Sequence, residues 1–226
     1  MSITECPFAN LQVSVEVVKG CPFHAHNVPE KYRVNHPVRL NVKGGTHYLS
    51  AGTASLLADI GGGDRIREFV TRFYSRAFLD AHIKEFFFAD DGATAHAKRL
   101  ADWIIQKMGG EGEPWTDSGR LGMRQPSHSA AWHSNKRHPS RRGDHFKLDD
   151  CRIWMRLHFW AARECGLSEH VAFWDWYVQF IAHFVGVYER TAPRYAPVDA
   201  EWSEDPRNIA AYEENGYLMK DVIGRR

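Results

Sequence analysis

Apolar side chains recur every three or four residues in four separate stretches of this chain, three of them closed by glycine or proline, and that pattern confines it to a helical fold. A short segment from Thr53 to Ile60 breaks at Gly61-Gly62-Gly63. Asp64 then offers an N-cap for a helix whose buried stripe is Ile66, Phe69, Val70, Phe73, Ala77 and Phe78 and which ends near Leu79. A second long helix runs from Thr94 to Met108, with His96, Leu100, Trp103 and Ile104 on one face, and stops at Gly109-Gly110. Asp149 opens a third, through Glu164, with Ile153, Trp154, Leu157, His158 and Ala161 inward and Gly166 closing it. Ser168 begins the last, where Phe173, Trp174, Tyr177, Phe180, Ile181, Phe184 and Tyr188 repeat until Pro193.

Between these lie weaker signals. Residues 1–50, rich in proline and without periodicity, read as an irregular arm with short strands such as Leu11 to Val18. The span from Glu111 to Asp150 reads as a long ordered loop with one short helix around Pro126 to Lys136, and the tail from Arg194 holds one near Asn208 to Glu214. No stretch alternates long enough for a core sheet. The expected architecture is all-α: an extension over 1–50, a helical domain over 51–193, and a tail over 194–226. Two helix pairs around a broken middle leave room between them for a flat ligand.

Charge and composition narrow the function classes. Lys and Arg number 29 against 28 Asp and Glu among 226 residues, so no global field draws the chain to nucleic acid or an anionic membrane. No apolar run approaches the ~18 residues of a membrane span, and the N-terminus shows neither a basic start nor an apolar segment. The expected compartment is cytoplasmic. Cys6, Cys21, Cys151 and Cys165 form no C-x-x-C pair of the zinc-binding kind. Thirteen His beside 8 Trp, 8 Tyr and 13 Phe raise the question of a cofactor, since imidazole binds metals and flat rings line cofactor pockets.

The span from Thr53 to Pro193 resembles the truncated haemoglobins, small globins in which two pairs of helices sandwich a haem. The features that carry the resemblance come in order: the Gly-Gly break before the first long helix, Phe73-Tyr74, the aromatic run Phe86 to Phe88, Ile104-Ile105-Gln106 closing on Gly109-Gly110, Trp115 in the following loop, Trp154-Met155-Arg156, and a final aromatic helix. The resemblance implies haem b (iron protoporphyrin IX) as cofactor. It places Tyr74 and His96 on the distal side as donors to an iron-bound ligand, Leu100 over the haem face, and Phe87 or Phe88 on the haem edge. Trp154 sits where one group of the family carries a tryptophan whose indole reaches the ligand; His158 and Trp103 would pack near the haem.

The proximal side departs from the family by an insertion between Gly110 and Asp149. Counting forward from Gly109-Gly110 puts the iron ligand at His128, with His133 the next candidate and His138 or His145 after it. Lys136, Arg137, Arg141, Arg142 and Lys147 in the same insertion are candidate partners for the haem propionates. Cys6-Pro7-Phe8 and Cys21-Pro22-Phe23 carry the Cys-Pro dipeptide of regulatory haem-binding segments, and His24-Ala25-His26 allows a metal contact.

The implied function is a haem protein that binds oxygen, nitric oxide or carbon monoxide at the iron, as monomer or homodimer. As an enzyme it would act as a nitric oxide dioxygenase or peroxidase with a reductase partner. The alternative is a haem-free globin-like interaction or sensing domain.

Overall fold

The computed structural model describes residues 37–219. The expectations for Cys6, Cys21, His24, His26 and the strand near Leu11 fall outside them. Within the described residues the chain is helical, apart from a hairpin of two-residue strands, β1 (Val42–Lys43) and β2 (Thr46–His47). The helices are α1 (Ala51–Asp59), α2 (Gly63–Ala77), α3 (Gly92–Met108), α4 (Pro114–Asp117), α5 (Arg124–Trp132), α6 (Leu148–Glu164), α7 (Val171–Val185), α8 (Ala196–Glu201) and α9 (Pro206–Glu214). None is long and apolar enough to cross a membrane.

Helix α2 forms where the periodicity predicts it, and Ile66, Phe69, Val70 and Phe73 are fully buried. Each such side chain contributes roughly 1.5–3 kcal/mol of burial. Its cap differs from expectation: Gly62, at φ 76°, precedes the first turn, and Asp64 lies inside the helix, bonded to Arg67. The stripe of α2 packs on α3 and α6, while α1 packs on α3 and α7. Helix α3 ends on Gly109 at φ 82°, a left-handed cap that suits glycine. The next residue, Gly110, lies so close to Ile105 and Leu57 that a Cβ there would stand 2.4 and 2.9 Å from their side chains.

Three more helix ends fall elsewhere than the sequence predicts: Lys147, not Asp149, precedes α6, and both ends of α7 move. His170, not Ser168, caps α7, its ring Nδ1 accepting from the Phe173 amide at 3.1 Å. The helix stops at Val185 rather than running to Pro193, because the chain folds back so that Pro193 Cγ would stand 2.8 Å from a Cβ on Gly186. Tyr188 therefore leaves the helical stripe.

Helix α6 is buried nearly all round, including Arg152 and Arg156. Both guanidiniums meet Asp199, at 2.9 and 2.8 Å, and the Asp199 carboxylate is fully buried. The segment from α8 onward thus packs on the body, with Trp202, Tyr212 and Met219 buried against Trp160 and its neighbours.

Candidate functional site

A cavity of about 590 Å³ opens among α2, α3, α5, α6 and α7. Its walls are mostly aromatic or aliphatic, and Tyr74, His96, His128 and Trp154 are among the polar side chains that line it. Each keeps an atom without a hydrogen-bond partner among the described residues, namely the Tyr74 hydroxyl, His96 Nε2, His128 Nε2 and the Trp154 indole N–H. A concave, mostly apolar site with a few converging polar groups is the usual form of a ligand pocket, and these four supply such groups.

Helices α2 and α3 supply one cluster. Tyr74, late in α2, stands 5.5 Å from the His96 ring and 5.6 Å from Phe87 by ring centroids, and His96 is 5.2 Å from Phe87. His96 Nδ1 is held by the Gly92 carbonyl at 3.0 Å, one turn earlier, so Nε2 is the nitrogen left over. Burial lowers the His96 pKa below 6.5 and raises that of Tyr74, keeping the imidazole neutral and the phenol protonated. The site can therefore donate a hydrogen bond from Tyr74 without carrying charge.

The other cluster is built on α5. His128 packs against Phe146 and Tyr188, and the Tyr188 hydroxyl lies 2.6 Å from its Nδ1. Burial, with Arg124 nearby, lowers its pKa to about 4, which leaves it neutral and able to ligate a metal through Nε2.

Phe87, Phe88, Leu100 and Trp103 also line the cavity, as the resemblance implies. Two residues do not. His133 is exposed, its Nδ1 on the Ser129 carbonyl at 2.9 Å, and His158 is fully buried behind the wall, its Nε2 2.7 Å from the Tyr177 hydroxyl. Of the other proximal alternatives, His138 bonds Ser140 and His145 stacks on Trp132 at 3.9 Å, both away from the lining.

The inserted basic loop is also occupied elsewhere. Lys136 meets Asp90 and the Phe87 carbonyl, Arg141 meets Glu85, Arg137 holds the Trp132 and Asp144 carbonyls, Arg142 holds the Asn135 and Arg137 carbonyls, and Lys147 meets Asp144. None of these cations lines the cavity; Arg99, Arg120 and Arg124 do. Sequence reading missed those three, although Arg99 follows His96 by three residues and so shares its helix face. It also missed Asp150, whose buried carboxylate lines the cavity and lies 2.5 Å from His82 Nε2.

The residues present suit haem: one neutral imidazole with its second nitrogen tethered, flat apolar walls, and arginines able to meet carboxylates. A metal held by protein ligands alone has no comparable basis, since no group of three or more His, Cys, Asp or Glu among the described residues could hold one. No protein-family model, no curated protein and no solved structure matches this chain.

Proposed function

We propose that this chain is a haem-binding globin of the truncated, two-over-two kind that binds a diatomic ligand such as oxygen, nitric oxide or carbon monoxide. The observation that supports the reading is the convergence of His128, Tyr74, His96 and Trp154 on one largely apolar cavity. The resemblance of the sequence assigns those same four positions to ligand chemistry.

Haem, when bound, supplies an iron with an open position for the diatomic molecule. His128 would hold it through Nε2, while Tyr188, bonded to Nδ1, fixes the tautomer and the ring orientation. Tyr74 donates its hydroxyl proton as a hydrogen bond to the bound molecule. His96, neutral and anchored at Nδ1, presents Nε2 to the same space. Tyr74 is the donor that stabilises negative charge on the ligand and slows its departure, its net bond being worth about 1 kcal/mol, whereas His96, whose Nδ1–H goes to the Gly92 carbonyl, offers only an acceptor at Nε2. Phe87, Leu100 and Trp103 keep water from the site, and Arg99, Arg120 and Arg124 are the cations placed for the two propionates. Slow release of this kind serves oxidation of nitric oxide or a peroxidase reaction, or sensing, better than delivery.

The test is ligand release from the reduced, haem-loaded full chain. Tyr74→Phe raises the oxygen dissociation rate several-fold while leaving haem affinity unchanged; an unaltered rate in that variant overturns the assignment of Tyr74.

A further inference from the structure

Behind the cavity wall, Trp154 heads a stack whose other two members the ligand-binding reading does not use. Trp154, which lines the cavity, lies against His158 with ring centroids 4.3 Å apart and planes 16° from parallel. His158 in turn lies over Tyr177 at 5.8 Å and 19°. The Tyr177 hydroxyl and His158 Nε2 are 2.7 Å apart, and both residues are fully buried.

The proton on that bond can be placed by counting partners. His158 Nδ1 has no hydrogen-bond partner among the described residues. If Tyr177 donates to Nε2, one N–H goes unmet; if Nε2–H donates to Tyr177, both the phenolic hydrogen and the Nδ1 lone pair go unmet. Donation from Tyr177 therefore leaves fewer buried polar groups orphaned. The rings packed on the pair, besides Trp154, are Phe69, Phe73, Phe159, Phe173, Trp176 and Phe180. A phenylalanine and a leucine would pack in such a cage with no desolvation cost, so stability alone does not call for a phenol and an imidazole here.

We infer that Trp154, His158 and Tyr177 form an oxidisable relay, in which Tyr177 gives one electron through Trp154 to a one-electron oxidant held in the cavity. In that step the phenolic O–H bond of Tyr177 breaks, its proton moves along the existing hydrogen bond to form an N–H bond at His158 Nε2, and the oxidant is reduced by one electron. The products are a neutral phenoxyl and a His158 imidazolium. Burial lowers the His158 pKa to about 3, so the imidazolium gives the proton back when an electron returns. The relay holds one oxidising equivalent away from solvent, as a peroxidase-type reaction in the cavity requires. The physiological oxidant rests on the proposed haem function; the stack itself does not.

Two arms test it on the full chain. In the first, haemin-loaded protein is mixed with hydrogen peroxide, freeze-quenched and read by electron paramagnetic resonance. In the second, haem-free protein is treated with hexachloroiridate(IV) and read in the same way. The relay predicts a phenoxyl signal that falls at least tenfold in Tyr177→Phe and in His158→Leu, and that forms at least tenfold more slowly in Trp154→Phe. The double variant, His158→Leu with Tyr177→Phe, keeps the wild-type circular dichroism and serves as the folded control. A Tyr177-dependent signal in the second arm upholds the relay even where haemin fails to bind, which would count against the haem reading alone. The same spectrum from wild type and Tyr177→Phe in both arms overturns the relay.

Discussion

The hydroxyl of Tyr188 lies 2.6 Å from Nδ1 of His128, a residue 60 positions earlier in the chain. A ligating imidazole needs its second nitrogen held, and here the holder comes from the fold-back after α7 rather than from a neighbouring carboxylate. Tyr188→Phe removes the tether and keeps the ring. Haemin affinity is expected to fall by about 10- to 100-fold, measured by competition with apomyoglobin, while the urea midpoint stays near that of wild type.

Acid should weaken this fold through its buried imidazoles. Burial holds His158 near 3, and His128 and His47 near 4, against 6.5 for an exposed ring. Between those values and 6.5 the unfolded chain binds more protons than the folded one, so stability is complete above about pH 6.5 and is lost as pH falls toward 3. His158 alone accounts for about 2 kcal/mol at pH 5. Urea unfolding at pH 7.5 and pH 5 measures the loss, and His158→Leu should show a shallower dependence than wild type.

Asp199 is fully buried between Arg152 and Arg156. Removing one partner from such a cluster strands charge in a low-dielectric site, so Asp199→Ala should cost about 3–5 kcal/mol. Amide exchange is expected to rise first in residues 195–219, which this carboxylate ties to α6.

Gly110→Ala should destabilise the turn after α3, since the added methyl would meet Ile105 and Leu57 at 2.4 and 2.9 Å. Overpacking of this kind costs about 1–3 kcal/mol. Gly109 lies at φ 82°, so Gly109→Ala tests backbone strain instead, and its cost should be lost largely by Gly109→Asn, which tolerates the left-handed region.

Helices α2 and α3 were legible because their stripes are regular and glycines punctuate them. Tyr74, His96, Leu100 and His128, singled out by the resemblance, all line the cavity. Helix α6 was harder to read: the burial of Arg152 and Arg156 depends on a carboxylate that stands 47 and 43 residues further on. Tyr188 read as one more ring of the α7 stripe, since nothing local shows the helix stopping at Val185. The cations of the inserted loop read as candidate partners for propionates, yet Glu85, Asp90 and backbone carbonyls engage them, contacts that only tertiary structure creates.

The central claim is that His128 binds haem iron. Full-length protein, titrated with haemin beside His128→Ala and His133→Ala, tests it in one absorption experiment. The account predicts a saturable one-to-one Soret band for wild type and His133→Ala, and its loss or displacement in His128→Ala. A stoichiometric band that His128→Ala leaves unchanged, or the absence of any band from all three proteins, would contradict it.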